Sequence, residues 1–156
     1  MEIDELMREF AVASGIDDVR SDGEGAYHFD IDGMSVSFAA VPETGDMITW
    51  ADVAEPPPEG RERIYHSLLE AMFMGEGSGG ATFSVARDTG RICLHRIDPL
   101  ATLDFDRFRA MLERFVNVLE TWRKLIADFR EVAPDLDRAS ESEARSGLGL
   151  DGCMRV

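Results

Sequence analysis

The segment MGEGSGGAT, Met74–Thr82, contains the glycine spacing Gly75-x-Gly77-x-x-Gly80. That spacing occurs in dinucleotide-binding loops, which follow a strand and open a helix whose amino end holds the pyrophosphate. Here apolar periodicity predicts a helix before the loop and a strand after it. The loop would therefore face the partly negative carboxyl end of a helix, which disfavours phosphate. We interpret the glycines as a helix terminus and a place of close backbone packing.

Other residue types that support catalysis are present without a recognisable pattern. The only lysine, Lys124, is followed by leucine, so the chain has no phosphate-binding GK[ST] motif. The histidines His28, His66 and His95 fall on three predicted elements and lack the spacing of a zinc-binding helix. We expect no catalytic residue, no metal and no cofactor, and we do not expect an enzyme. An enzyme would need a polar cleft with perturbed ionisable groups, and the sequence indicates none.

The charge of the chain is strongly negative. The 156 residues fit a single domain and carry 31 acidic against 16 basic side chains, a net charge of −15. This charge argues against a nucleic-acid partner and against an anionic membrane surface, and it favours solubility. Residues 1–32 hold ten acids and two arginines, a net charge of −8. That region is either a solvated face or a surface that a specific partner recognises.

The cysteines and the amino terminus indicate a cytoplasmic protein. Cys93 and Cys153 are too few for a disulfide framework or a zinc site, which suits a reducing compartment. The first ten residues, MEIDELMREF, lack the cationic and apolar regions of a signal peptide. No apolar run reaches the length of about 18 residues that a membrane span needs.

The first half of the chain predicts one helix followed by three strands. Ile3, Leu6, Met7 and Phe10 form one apolar stripe of a helix over residues 2–14. Three later segments alternate apolar and polar residues and predict strands: 27–31, 34–38 and 47–53. The pair Asp32-Gly33 between the first two strands is a strong hairpin signal and places Ile31 opposite Met34.

The second half predicts a helix, a hairpin and a long helix. Helix periodicity covers 61–74, and strands at 81–86 and 91–97 flank a turn that ends in Gly90. The last helix begins after the N-cap Asp104, and we expect it to end at Pro134. The fold class is therefore α+β, in the order α-β-β-β-α-β-β-α, with helices packed on a twisted antiparallel sheet. Residues 1–132 form the predicted domain, and 133–156 a predicted disordered tail.

Several segments in the second half, in this order, resemble the class I type III secretion chaperones of the Tir-chaperone (CesT-like) family. They are LLEAM, GGATFSV, DTGRICL and DFDRFRAMLERFVNVLETW, between Leu68 and Trp122. The resemblance covers about residues 2–130 and is weaker before residue 60. It implies a cytosolic homodimer without ATPase activity, which binds the extended N-terminal region of a secreted effector. The effector would stay soluble and export-competent, and such effectors often add a strand to the chaperone sheet.

The resemblance leads to two predicted surfaces. The predicted effector-binding residues are apolar side chains of the first helix and the first strands: Ile3, Leu6, Met7, Phe10, Val36, Phe38 and Met47. The alternative is that they attach the helix to the sheet. The predicted homodimer interface uses the second helix and the strand after it: Tyr65, Leu68, Leu69, Met72, Phe73 and Phe83. The alternative is burial within one subunit. As an alternative function, the same fold could serve a regulatory or adaptor binding module unconnected with secretion.

Overall fold

The predicted element order is confirmed. The computed structural model describes residues 2–16 and 19–146, with side chains described up to residue 130. The elements in chain order are α1 Ile3–Ala13, β1 Tyr27–Ile31, β2 Met34–Val41, β3 Asp46–Ala54, α2 Arg61–Met72, β4 Thr82–Val85, β5 Ile92–Pro99 and α3 Phe105–Ser146. Short 3-10 turns follow α2 at Phe73–Gly75 and β5 at Leu100–Thr102.

The five strands form one antiparallel sheet in the order β1-β2-β3-β5-β4. β1 and β4 are therefore its two edges. Asp32 and Gly33 both adopt left-handed angles, with φ of 52° and 74°, as a two-residue hairpin turn requires. Ile31 pairs with Met34, which confirms the predicted register. This register places the apolar residues of β1 and β2 on the same face of the sheet.

The core lies between that face of the sheet and the helices. Val36, Phe38 and Met47 are fully buried on neighbouring strands, as are Ile92 and Leu94 on β5. α1 and α3 contact this face through aromatic rings, and α2 reaches it beside β4. The helices thus cover one face of the sheet and leave its two edges for other contacts.

The long helix α3 begins as predicted but ends later. The Asp104 carboxylate accepts a hydrogen bond of 2.8 Å from the backbone N–H of Arg107, which caps the first turn. The helix continues to Ser146, so the predicted end at Pro134 is wrong. Proline removes one hydrogen bond from a helix, but alanine, glutamate and arginine in 135–146 are good helix formers. The domain boundary at residue 132 stays a prediction, and residues 147–156 lie outside the described part of the chain.

Hydrogen bonds fix the backbone just after α1 and just before β1. Gly15 closes α1, since its N–H bonds to Val12 and the N–H of Ile16 bonds to Ala11. Asp22 accepts bonds from His28 at 3.0 Å and from the backbone of Ala26 and Glu24 at 2.9 and 2.8 Å. The bond from His28, followed by those two backbone bonds, lowers the pKa of Asp22 to about 2.

The glycine-rich segment packs closely between α2 and α3, which confirms its interpretation as a site of backbone packing. A Cβ atom added at Gly77 would lie 2.8 Å from the Ala71 side chain, and one at Gly79 would lie 3.1 Å from Val118. The indole N–H of Trp122 donates a 3.1 Å hydrogen bond to the Gly77 carbonyl. These contacts fix the path of the chain from α2 into β4.

We predict that Gly77→Ala destabilises the protein by about 1–3 kcal/mol, because the new methyl group meets the backbone of Ala71, which cannot move aside easily. The φ angle of Gly77 lies outside the left-handed region, so steric overlap is the expected cause. Urea unfolding measures the loss. The control is Gly23→Ala, whose added Cβ meets nothing within 4 Å. Equal midpoints for both variants would contradict the packing role.

We also predict an acid-dependent contribution from Asp22. Because its pKa is about 2 in the folded protein against an ordinary 3.8, the carboxylate stabilises the fold fully above pH 4. That contribution is lost as the pH falls through 2. The difference in unfolding free energy between the parent protein and Asp22→Asn should therefore shrink from pH 5 to pH 2. A difference that stays constant over this range would show that the charge of Asp22 is not responsible.

Candidate protein-binding surfaces

Six of the seven predicted effector-binding residues lie in the core of the subunit. Their side chains are at most 8% exposed: Ile3, Leu6, Met7, Val36, Phe38 and Met47. α1 and α3 seal the face of the sheet to which these side chains point, so they do not line an open groove. The structure places them as the alternative interpretation does, attaching helix to sheet. Phe10 is the exception, since it is half-buried and also borders open space.

That open space is a cleft of about 680 Å³ between the end of α1, the end of β1 and the middle of α3, here called the α1–β1–α3 cleft. Apolar side chains from the three elements and their connections form its floor: Phe10, Ile16, Phe29, Ile31, Leu112 and Val116. Polar residues form its rim: Ser14, Asp30, Asp32, Arg109, Glu113 and Asn117. An apolar floor with a polar rim is typical of a site that holds part of another chain.

The cleft continues along the free edge of β1. A second depression of about 290 Å³ lies between β1 and the residues Ile16, Val19 and Arg20, and it shares Ile16, Phe29 and Asp30 with the cleft. Among the described residues, no backbone hydrogen bond joins the connection before β1 to this strand. An edge strand of this kind can pair with an extended segment of another protein. This surface was not predicted from the sequence, because Ile16 lies beyond the end of the predicted first helix and Ile31 is the last residue of the predicted first strand.

A second apolar surface lies at the opposite edge of the sheet, on α2 and β4. The structure brings five of the six predicted interface residues to one groove of about 150 Å³: Tyr65, Leu68, Leu69, Met72 and Phe83. Leu69 is 64% exposed, and Phe73 beside it is 73% exposed, whereas Leu68 and Phe83 are buried within the subunit. Sequence reasoning missed the exposed residues Met74 and Val85. Exposed apolar side chains grouped in this way are typical of an interaction surface.

A chain of polar residues crosses the sheet face opposite to the helices. The ring of His28 bonds to Asp22 through Nε2 at 3.0 Å and to Ser37 through Nδ1 at 2.7 Å. Hydrolase triads contain these residue types, but they place the serine at Nε2 of the histidine. Ser37 is also buried. We therefore interpret these hydrogen bonds as structural. They hold the ring of His28 beside Trp50, and the two ring centroids are 6.3 Å apart.

The described part of the chain contains neither an activated thiol nor a cluster of metal-binding side chains. Burial and the neighbouring Asp52 raise the pKa of the Cys93 thiol to about 11, so it stays protonated at neutral pH and is a poor nucleophile. No group of three or more acidic, histidine or cysteine side chains is arranged to hold a metal ion there. No helix in the same residues has the length and apolar character needed to cross a bilayer.

Solved structures of similar fold include a chaperone–effector complex and a type III secretion chaperone. The ExsC–ExsE complex has a TM-score of 0.68 at 23% identity and covers 80% of this chain and 92% of that chain. The HopA1–SchA chaperone–effector complex has a TM-score of 0.65 at 10% identity and covers 78% and 93%. The Yersinia pestis type III secretion chaperone SycH, in complex with a stable fragment of YscM2, has a TM-score of 0.59 at 17% identity and covers 76% and 97%.

At these identities the likeness shows a shared fold. Among curated proteins, no sequence matches this chain. The model of the Tir chaperone protein (CesT) family matches residues 5–123, which include most of α1, the whole sheet and α3 as far as Arg123. This chain therefore belongs to the Tir chaperone protein (CesT) family.

Proposed function

We propose that this protein is a cytosolic type III secretion chaperone that binds the extended N-terminal region of an effector and keeps it soluble and export-competent. The observation that carries the proposal is the open α1–β1–α3 cleft, which continues along the unpaired edge of β1 in a CesT-family fold. The HopA1–SchA structure, of similar fold, is itself a chaperone–effector complex, which supports the same role here.

The energetics of ordering an extended chain favour such a surface. Fixing the backbone costs roughly 1–2 kcal/mol per residue. At about 25 cal/mol per Å² of apolar area, each ordered residue of the effector has to bury roughly 40–80 Å². A small polar contact cannot supply this area, whereas an apolar cleft beside a free strand edge supplies burial and backbone hydrogen bonds together.

The effector segment would use the two parts of the surface in succession. Its backbone pairs with the five residues of β1, a length of roughly 17 Å. Side chains on one face of the added strand then lie over Ile16 and Phe29, which belong to both depressions. Beyond β1, the segment places further apolar side chains on Phe10 and Val116 in the cleft.

The homodimer would form through α2 and β4. Leu69 and Phe73 are exposed in the single subunit although they are large and apolar, and the groove beside them is lined almost entirely by apolar atoms of α2 and β4. β1 and β4 lie at opposite edges of the sheet. A dimer formed at β4 therefore leaves the α1–β1–α3 cleft of each subunit free for an effector.

For the effector, we expect the N-terminal region of the secreted protein encoded beside this gene to be soluble when co-expressed with the chaperone. Ile16→Asp should weaken their association by about tenfold or more, because it places a charge on the apolar floor next to β1. Val12→Asp is the matched control, since Val12 is 80% exposed and does not line the cleft. Co-purification measures the association. Insoluble effector regions with every neighbouring candidate would refute the proposed function.

For the dimer, we expect light scattering to give a dimer for the parent protein and a monomer for Leu69→Asp/Phe73→Asp. Burying two carboxylates in an apolar interface should raise the dimer Kd by about 100-fold or more. Both side chains are largely exposed in the subunit, so the fold should persist by circular dichroism. Val12→Asp should remain dimeric. A parent protein that is monomeric at micromolar concentration would contradict the assignment.

A further inference from the structure

We propose that the α1–β1–α3 cleft selects effector segments in which an arginine or lysine lies next to the apolar anchor residues. This inference rests on the proposed function and adds the chemistry of the segment that is recognised. The cleft and the free edge of β1 define where the segment binds, and the charges around the cleft define which segment binds.

Carboxylates stand on two sides of the apolar floor. Asp30 lies near the end of β1, and Asp32 lies in the hairpin turn that follows. Glu113 lies on α3. All three side chains are exposed. A segment that binds in the cleft therefore comes near acidic residues of β1, the hairpin turn and α3.

These carboxylates have no ion pair within 4.0 Å among the described residues. One oxygen of Asp30 accepts the backbone N–H of Gly33 at 3.0 Å, which leaves its second oxygen for another donor. Elsewhere in the fold arginines neutralise such groups. Arg91 binds Asp52 and Arg96 binds Asp98, each with a shortest contact of 2.6 Å.

Among the described residues that line the cleft, Arg109 is the one cation, and it offsets only one of the three negative charges of the rim. The guanidinium carbon of Arg109 lies 5.9 Å from the centroid of the Phe105 ring, a cation–π contact outside the apolar floor. No salt bridge joins Arg109 to a rim carboxylate among the described residues. The rim thus keeps an excess of negative charge that a bound cation can neutralise.

The charge of the surrounding region favours the same occupant. Residues 1–32 include α1 and β1, which form two walls of the cleft. This region carries −8 of the total charge of −15. This field attracts cationic segments during encounter and repels acidic ones. A lysine or arginine can lay its methylene stem on Phe10 or Val116 and place its charge among the carboxylates.

The test uses the full chain and strand-forming peptides of roughly twelve residues, in which apolar residues alternate with threonine. One central position carries arginine, glutamine or glutamate, and fluorescence anisotropy measures the Kd. At about 0.1 M salt we expect the arginine peptide to bind about fivefold more tightly than the glutamine peptide, and the glutamate peptide to bind most weakly. At about 1 M salt the Debye length falls from about 10 Å to about 3 Å, so the preference should fall below about twofold.

The variant Asp32→Asn/Glu113→Gln tests the rim itself. Asparagine tolerates the left-handed backbone of Asp32, so the turn should be retained. We expect this variant to lose the preference for arginine while it binds the glutamine peptide as the parent does. The control, Glu43→Gln/Glu59→Gln, removes two exposed charges away from the cleft and should keep the preference.

Three outcomes would overturn the inference. Equal affinity of the arginine and glutamine peptides for the parent protein would refute the charge selection and leave the proposed function intact. Loss of the preference in both double variants would assign it to the overall charge and not to the rim. Failure of every peptide to bind would count against this cleft as a binding site and so against the proposed function as well.

Discussion

Edge-to-face and tilted contacts among four phenylalanine rings attach the helices α1 and α3 to the strands β1 and β2. Phe10 of α1 contacts Phe29 and Phe108 at centroid distances of 5.0 and 5.5 Å, and Phe38 contacts the same two rings at 5.9 and 5.5 Å. Each such pair adds about 0.5–1.5 kcal/mol beyond the area it buries. The cluster links α1, β1, β2 and α3, so the position of α1 against the sheet depends on it.

The position of α1 in turn creates the α1–β1–α3 cleft. Phe10 and Phe29 belong to the ring cluster and also line the α1–β1–α3 cleft, so the outer side of the cluster is the floor of the cleft. Because the helices cover one face of an open sheet, its edges β1 and β4 remain available for pairing or packing. Apolar surfaces at both edges would favour aggregation, and the net charge of −15 opposes it. The acidic composition is therefore compatible with a protein that keeps apolar surfaces exposed.

The sequence predicted the local structure well because its signals are local. Asp32-Gly33 specified the hairpin and its register, and Asp104 specified the start of α3, since each acts through its own backbone neighbours. The end of α3 was predicted wrongly at Pro134, because one proline signal was given more weight than the helix formers that follow it.

Whether an apolar residue is buried or exposed was harder to predict, because burial depends on packing against elements that are distant in the sequence. Periodicity placed Leu6, Val36 and Met47 on apolar faces correctly, but it could not indicate that α3, more than fifty residues later, covers those faces. For α2 the broad apolar sector did indicate partial exposure, since Leu68 is buried whereas Leu69 beside it is 64% exposed.

The glycine segment has a role in this arrangement that differs from nucleotide binding. It connects α2, which carries one exposed surface, to β4, the strand beside it. It contacts α2 through Ala71 and α3 through Trp122, whose indole N–H donates to the Gly77 carbonyl and whose ring packs on Phe83 of β4 at 5.2 Å. Larger residues at Gly77 or Gly79 would push the segment away from α2 or α3 and shift Leu69 and Phe73 relative to β4. A glycine spacing that resembles a phosphate-binding loop is thus explained by the close packing of this segment between α2 and α3.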